Sequence, residues 1–120
     1  MDSKSVGSVR IAPQVLTTVA AGAALAVRGV LNLSTMRPVT MERLLRRVAV
    51  EPGVAIAVDE TGVAVDLYLI YERSINMLET SRTVQAEVAR AIHDTVGMTV
   101  REVNVHVEDV GSEPASPQAL

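Results

Sequence analysis

The sequence predicts an α+β domain: a small, mainly antiparallel β-sheet with two long helices on one face and a short basic helix. Three observations carry that reading. Two long segments open on a residue suited to a helix start and close on glycine, Pro13 to Gly29 and Ser74 to Gly97. Two others alternate larger apolar residues with small or polar ones at the period of a strand, the hairpin-broken Val54–Tyr71 and Val103–Val107. The apolar side chains are 21 Val and 15 Ala among others, with no Phe and no Trp. A core of that kind is thin and suits β-branched strands under small-residue helices.

Residues 1–5 are polar and expected to fray. Val6–Ala12 reads as a short strand with Val9 and Ile11 on one face. Pro13 fits the first turn of a helix, where its missing N–H costs nothing. That helix runs to about Val27 or Arg28, and Gly29 stops it. Val30–Leu33 is a second short strand, and 34–38 a loop. Thr40 can cap a short helix through about Val48, with Met41, Leu44, Leu45 and Val48 along one side.

Glu51-Pro52-Gly53 is a turn, followed by a strand carrying Val54, Ile56 and Val58. Asp59-Glu60-Thr61-Gly62 has hairpin chemistry and leads into a longer strand that ends near Tyr71. Ser74 can cap the second long helix, on which Val84, Val88, Ile92 and Val96 recur every four residues. Glu79, Arg82, Glu87, Arg90 and Asp94 make its other side charged. Val100, Val103, Val105 and Val107 belong to a last strand. Residues 6–110 are thus one domain, and 111–120 a tail of disorder-prone composition.

Composition excludes several functions. Eleven basic residues against 14 acidic ones give a net charge of −3, so bulk electrostatics do not draw the chain to nucleic acid. Tyr68 and Tyr71 are the only aromatic residues among Phe, Trp and Tyr, too few for base-stacking platforms. No two glycines have the Gly-x-x-Gly spacing that a KH domain uses to clamp RNA. Without cysteine there is no disulfide, thiol nucleophile or cysteine zinc site. Phosphate-binding, dinucleotide, zinc and nucleophile-elbow motifs are all missing, so no enzyme and no cofactor are expected. Val15–Val27 is apolar but too short to span a bilayer. Lys4, Arg10 and Ala24-Leu25-Ala26 would suit a cleaved signal peptide. The Pro13 helix start and the strand-like Val9 and Ile11 argue that the segment is retained and the protein cytoplasmic.

The ordered landmarks Val9-Arg10-Ile11-Ala12-Pro13, Arg28-Gly29-Val30, Ser74-Ile75-Asn76, Thr95-Val96-Gly97-Met98 and Val103-Asn104-Val105-His106-Val107 resemble the alkaline shock protein family of envelope-stress proteins. The resemblance covers roughly 6–110. Glu72-Arg73, where the family tends to carry glycine, and the distinctive stretch 35–50 depart from it. Membership implies a bacterial cytoplasmic protein without established catalysis, which self-associates or is held at the inner face of the membrane by a separate anchor protein. It also implies an alternative role as regulatory partner of a fatty-acid-synthesis enzyme of the acetyl-CoA carboxylase type. A small nucleic-acid-binding module is the remaining alternative.

Four groups of side chains are candidates for function. His106 shares the polar side of the last strand with Asn104 and Glu108, and strand pairing could bring Asp66 opposite; an exposed strand histidine is the simpler reading. His93, near a helix C-terminus, suits the helix dipole. Arg37, Arg43, Arg46 and Arg47 against Glu42 give 37–47 a charge of +3, leaving −6 for the rest of the chain. They are either the solvated side of a helix or a docking patch for an acidic protein or anionic lipid, worth about 1 kcal/mol per Arg near a charged membrane. Finally, the first helix has no charge from Pro13 to Val27, and small residues around Ala21 and Ala24 allow close approach of a second subunit.

Overall fold

The computed structural model describes residues 6–35 and 47–111. Its elements are α1 (Pro13–Leu25), β1 (Val30–Leu33), β2 (Arg47–Glu51), β3 (Val54–Asp59), β4 (Gly62–Tyr71), α2 (Met77–Val96) and β5 (Val100–Val110). They form a mainly antiparallel five-stranded sheet plus two helices, an α+β fold.

β4 organises the sheet. β3 pairs with its first half, Val54 opposite Leu67, and β1 with its second half, Leu33 opposite Leu69. β5 runs parallel to β4 along almost its whole length, from Val63↔Val100 to Tyr71↔Val110. A strand has two edges, so β1 and β3 lie end to end on one edge of β4 and β5 occupies the other. A parallel neighbour requires a long crossover, and α2 supplies it. β2 pairs antiparallel with β3 around Pro52-Gly53.

Alternation sorts the side chains of β4. Val63, Val65, Leu67, Leu69 and Tyr71 are fully buried and form one cluster with Leu16, Ala20 and Ala24 of α1 and Val84, Val88 and Ile92 of α2. Burying each such aliphatic chain contributes about 1.5–3 kcal/mol. Tyr71 reaches furthest, its hydroxyl sharing a 2.7 Å hydrogen bond with Ser81. Ala64, Asp66, Tyr68 and Ile70 are the alternate set.

Several expectations are corrected. Residues 6–12 are not a strand: alternation gives Val9 and Ile11 a common side, but the segment has no place in the sheet, and Val9 stays 89% exposed. α1 ends at Leu25, two residues early, because the chain must turn through Gly29 (φ +100°), whose carbonyl accepts the Glu72 N–H at 2.8 Å. The helix expected from Thr40 to about Val48 falls mostly outside the described residues, and its last two, Arg47 and Val48, are the start of β2. Ser74 does not cap α2; it adopts φ +64°, and Asn76 is the cap, its Oδ1 accepting the Glu79 N–H at 3.0 Å.

Candidate functional site

Strand register assembles a polar cluster from positions far apart in sequence. Asp66 stands opposite Asn104, and Tyr68 opposite His106. Asn104 Nδ2 donates to Asp66 Oδ1 at 3.0 Å and to Glu102 Oε2 at 3.2 Å. His106 Nε2 lies 3.5 Å from the same Asp66 oxygen, and its ring stacks on Tyr68 with centroids 4.3 Å apart. Asp66 is only 8% exposed, while the His106 side chain is 43% exposed. The expected facing of Asp66 with Asn104 and His106 is therefore present; the tyrosine stack is an addition that spacing alone does not reveal. Toward the Gly62 end, Arg101 bridges Asp59 at 3.4 Å and Glu102 at 3.6 Å.

Chemically, a histidine beside a carboxylate can hold or pass a proton. Here the carboxylate is buried and the imidazole half-exposed. Among the described residues no three His, Cys, Asp or Glu side chains converge as metal ligands. The Ser81 hydroxyl is taken up by Tyr71, which belongs to the other side of β4. The arrangement is a hydrogen-bonded cluster across the β4–β5 pairing.

α1 offers a second surface. Leu16, Thr17, Ala20 and Ala24 are buried, whereas Val15, Thr18, Gly22 and Leu25 are exposed. Three- and four-residue spacing aligns these four in one stripe without charge. Thr17 and Thr18 both turn their hydroxyls back to the Gln14 carbonyl, at 2.8 and 3.1 Å, which quenches their polarity. α2 differs, with Arg90 bridging Glu87 and Asp94. The hydrogen bond to Glu87, and then its charge, push the Arg90 guanidinium above its usual range. His93 is 3.4 Å from Asp94 and lies in the last turn, as the dipole argument expects.

The predicted interaction residues separate. Ala24 is completely buried within the chain. Ala21 is half-buried and lines a groove of about 350 Å³ with Gln14, Thr18, Leu33 and Pro52. Arg47 opens β2 opposite Val58. Arg37, Arg43 and Arg46 lie outside the described residues. Gly22 belongs to the run of small residues 20–24 that the sequence offered for close approach, but Leu25 escaped that reading, although a helical projection from Leu16 and Ala20 would have placed both on the outer side. Among the described residues no helix is long and apolar enough to cross a membrane.

A model of the alkaline shock protein family, described by a cell envelope-related function, matches residues 1–112. An uncharacterized protein of Streptococcus pyogenes serotype M6 is 26% identical over 106 residues, covering 87% of this chain and 88% of that protein. The uncharacterized protein YloU of Bacillus subtilis is likewise 26% identical over 106 residues, with the same shares of each chain. The uncharacterized protein YqhY of Bacillus subtilis is 23% identical over 101 residues, 84% of this chain and 75% of that one. No solved structure matches the chain.

Proposed function

The chain belongs to the alkaline shock protein family, whose function is cell envelope-related, and from that premise we propose that it is a non-enzymatic, self-associating interaction module of envelope stress response and homeostasis. The reading places residues 6–110 as the working domain, in the cytoplasm, peripheral to the inner face of the membrane through a partner. The uncharged stripe Val15, Thr18, Gly22 and Leu25 carries the proposal. An exposed helix surface in a monomer ordinarily bears charge, as α2 does. An apolar stripe with glycine at its centre suits close packing against a second protein surface. Ala21, on the shoulder of the stripe, belongs to the same contact. Ala24, being buried, supports it from beneath.

The basic residues Arg37, Arg43, Arg46 and Arg47 are proposed to dock an acidic partner protein or anionic lipid. Their segment carries +3 against −6 for the rest of the chain, a polarisation of charge along the sequence. Arg46→Glu with Arg47→Glu should weaken binding to vesicles containing anionic lipid; unchanged binding would return these arginines to a solvated surface.

Gly22→Glu is the direct test of self-association. A Cβ at Gly22 meets nothing within 4 Å, so the monomer accepts the substitution without strain. In a packed interface the added carboxylate would be desolvated without a partner. Sedimentation velocity should show wild type larger than a monomer and Gly22→Glu shifted toward smaller species, with unchanged circular dichroism. A wild type that stays monomeric at high concentration would refute the reading.

A further inference from the structure

Ala55, Ala57 and Ala64 are at most 2% exposed, yet none of them belongs to the core cluster. That cluster holds Leu16 and Ala20 of α1 and Val84 and Val88 of α2, and takes the alternate residues of the same two strands, Val54, Ile56, Val63 and Val65. Ala57 stands opposite Ala64, and Ala55 opposite Asp66, so these four share the other side of the sheet. Asp66 is buried there as well. One alanine methyl cannot shield another beside it, and a bare sheet face would leave both in water. The shielding exists within a single copy, so this chain itself supplies the cover.

We propose that residues 36–46 seat on this side of the sheet, with Met41, Leu44 and Leu45 against Ala55, Ala57 and Ala64 and an arginine of the segment against Asp66. Composition favours 36–46 over the other residues outside the described ones: it carries Met36, Val39, Met41, Leu44 and Leu45, whereas 1–5 and 112–120 have only Met1 and Leu120 as large apolar residues. Connectivity agrees. Before the segment, Ser34 N–H donates to the Tyr68 carbonyl; after it, Arg47 pairs with Val58, which pairs with Val63. The chain must therefore pass β3 to reach β2, descending about 17 Å along the sheet. Twelve residues reach roughly 40 Å when extended, so the segment has length to spare for a folded cover. Alanines keep that side of the sheet low, which lets such a cover pack closely. Charge agrees too. Asn104 donates to Asp66 without bringing charge, and Asp66 keeps an interaction beyond Asn104 and His106. A buried carboxylate calls for a cation, and the segment offers Arg37, Arg43 and Arg46 against Glu42 alone. A partner of the remaining arginines then approaches from the side of the sheet opposite α1 and its stripe. This last step rests on the docking role proposed above for the arginines; the seat itself does not.

The chain has no cysteine, so engineered pairs report the seat directly. Ala57→Cys is combined in turn with Met41→Cys, Leu44→Cys and Leu45→Cys, and with Ser3→Cys and Ser116→Cys to represent the two ends of the chain. On oxidation with diamide, at least one of the first three pairs should join within one copy, seen as a faster-migrating monomer that reverts on reduction. The Ser3 and Ser116 pairs should stay open. If none of the first three joins, if they join only between copies, or if an end of the chain joins in their place, the proposal is overturned. Alkylation of the single variant Ala57→Cys by iodoacetamide gives a second reading. It should be slow, and about tenfold faster or more once Met41→Ser, Leu44→Ser and Leu45→Ser uncover the sheet, with unchanged circular dichroism. Equal rates overturn the proposal, and the cross-links decide it where the triple variant loses its fold. Neither readout needs a partner or a second copy. Their failure leaves the proposed function standing, and failure of the vesicle or sedimentation tests leaves the seat standing.

Discussion

The His106 ring lies flat on Tyr68, with planes 7° apart, because the two residues stand opposite each other in the parallel pairing of β5 with β4. Two residues earlier the same pairing sets Asn104 against Asp66. A parallel partner brings together residues separated by 38 positions, with a whole helix between them. The crossover through α2 is therefore what makes the polar cluster. A slip of one residue in β5 would send His106 to the buried side and a valine to Asp66.

Asn104→Ala should destabilise the domain by about 1.5–3 kcal/mol, the range for losing a hydrogen bond to a charged acceptor. Urea denaturation with an unchanged slope measures it. Asp66 keeps other interactions, so complete unfolding is not expected. A midpoint equal to wild type would mean that the Asn104 donor is replaced by water at no cost.

Gly53→Ala should be much more damaging than Gly97→Ala, although both glycines have φ +82°. At Gly97 a Cβ meets nothing within 4 Å, leaving only the left-handed backbone penalty of about 1–2 kcal/mol. At Gly53 the new Cβ would come within 2.8 Å of Leu33 Cβ and of the Ser34 carbonyl oxygen. Those atoms belong to the junction where β1 continues the edge begun by β3, so the clash has no flexible side chain to absorb it. Paired thermal melts should rank Gly53→Ala well below Gly97→Ala; equal melting temperatures would count against the junction.

Capping offers a smaller effect with a clear alternative. Asn76→Ala removes the acceptor of the Glu79 N–H and should cost about 1 kcal/mol. Ser74→Ala should cost less, since Ser74 does not cap α2. The opposite ranking in chemical denaturation would restore Ser74 as the helix start.

Elements with a signal at both ends were legible from the sequence. α1 begins at Pro13, β1 is Val30–Leu33, the Asp59–Gly62 hairpin joins β3 to β4, and α2 ends at Gly97. Residues 47–51 were misread because Leu44, Leu45 and Val48 continue a helical period, while only five residues carry the strand. Pro52-Gly53 is a hairpin signal as much as a loop, and reading it so would have required a strand before it. Residues 6–12 failed for another reason. Alternation states which side chains share a side, but a strand also needs a neighbour for its backbone groups. That neighbour is a property of the fold and not of the segment. The Asp66, Asn104 and His106 cluster was visible as far as polarity goes. The Tyr68 stack needs the β4–β5 register, which two bulges shift near Val63 and Leu69.

Ala21 and Ala24 look equivalent in sequence, and the fold makes them opposites. Ala24 is completely buried against the core cluster that holds Ala20, Val88 and Ile92. A glutamate there would place a carboxylate among aliphatic chains with no described partner, so Ala24→Glu should cost several kcal/mol and unfold the domain at moderate temperature. Ala21 borders an open groove beside Gln14 and Thr18, and from there a glutamate side chain can extend to water. Ala21→Glu should therefore keep the wild-type far-UV spectrum and lose at most about 1 kcal/mol. The two variants separate fold from association when circular dichroism and light scattering are read on the same samples. A folded Ala21→Glu that scatters as a smaller particle than wild type supports the α1 contact. A folded Ala24→Glu would mean that α1 packs less tightly on the sheet than its burial implies.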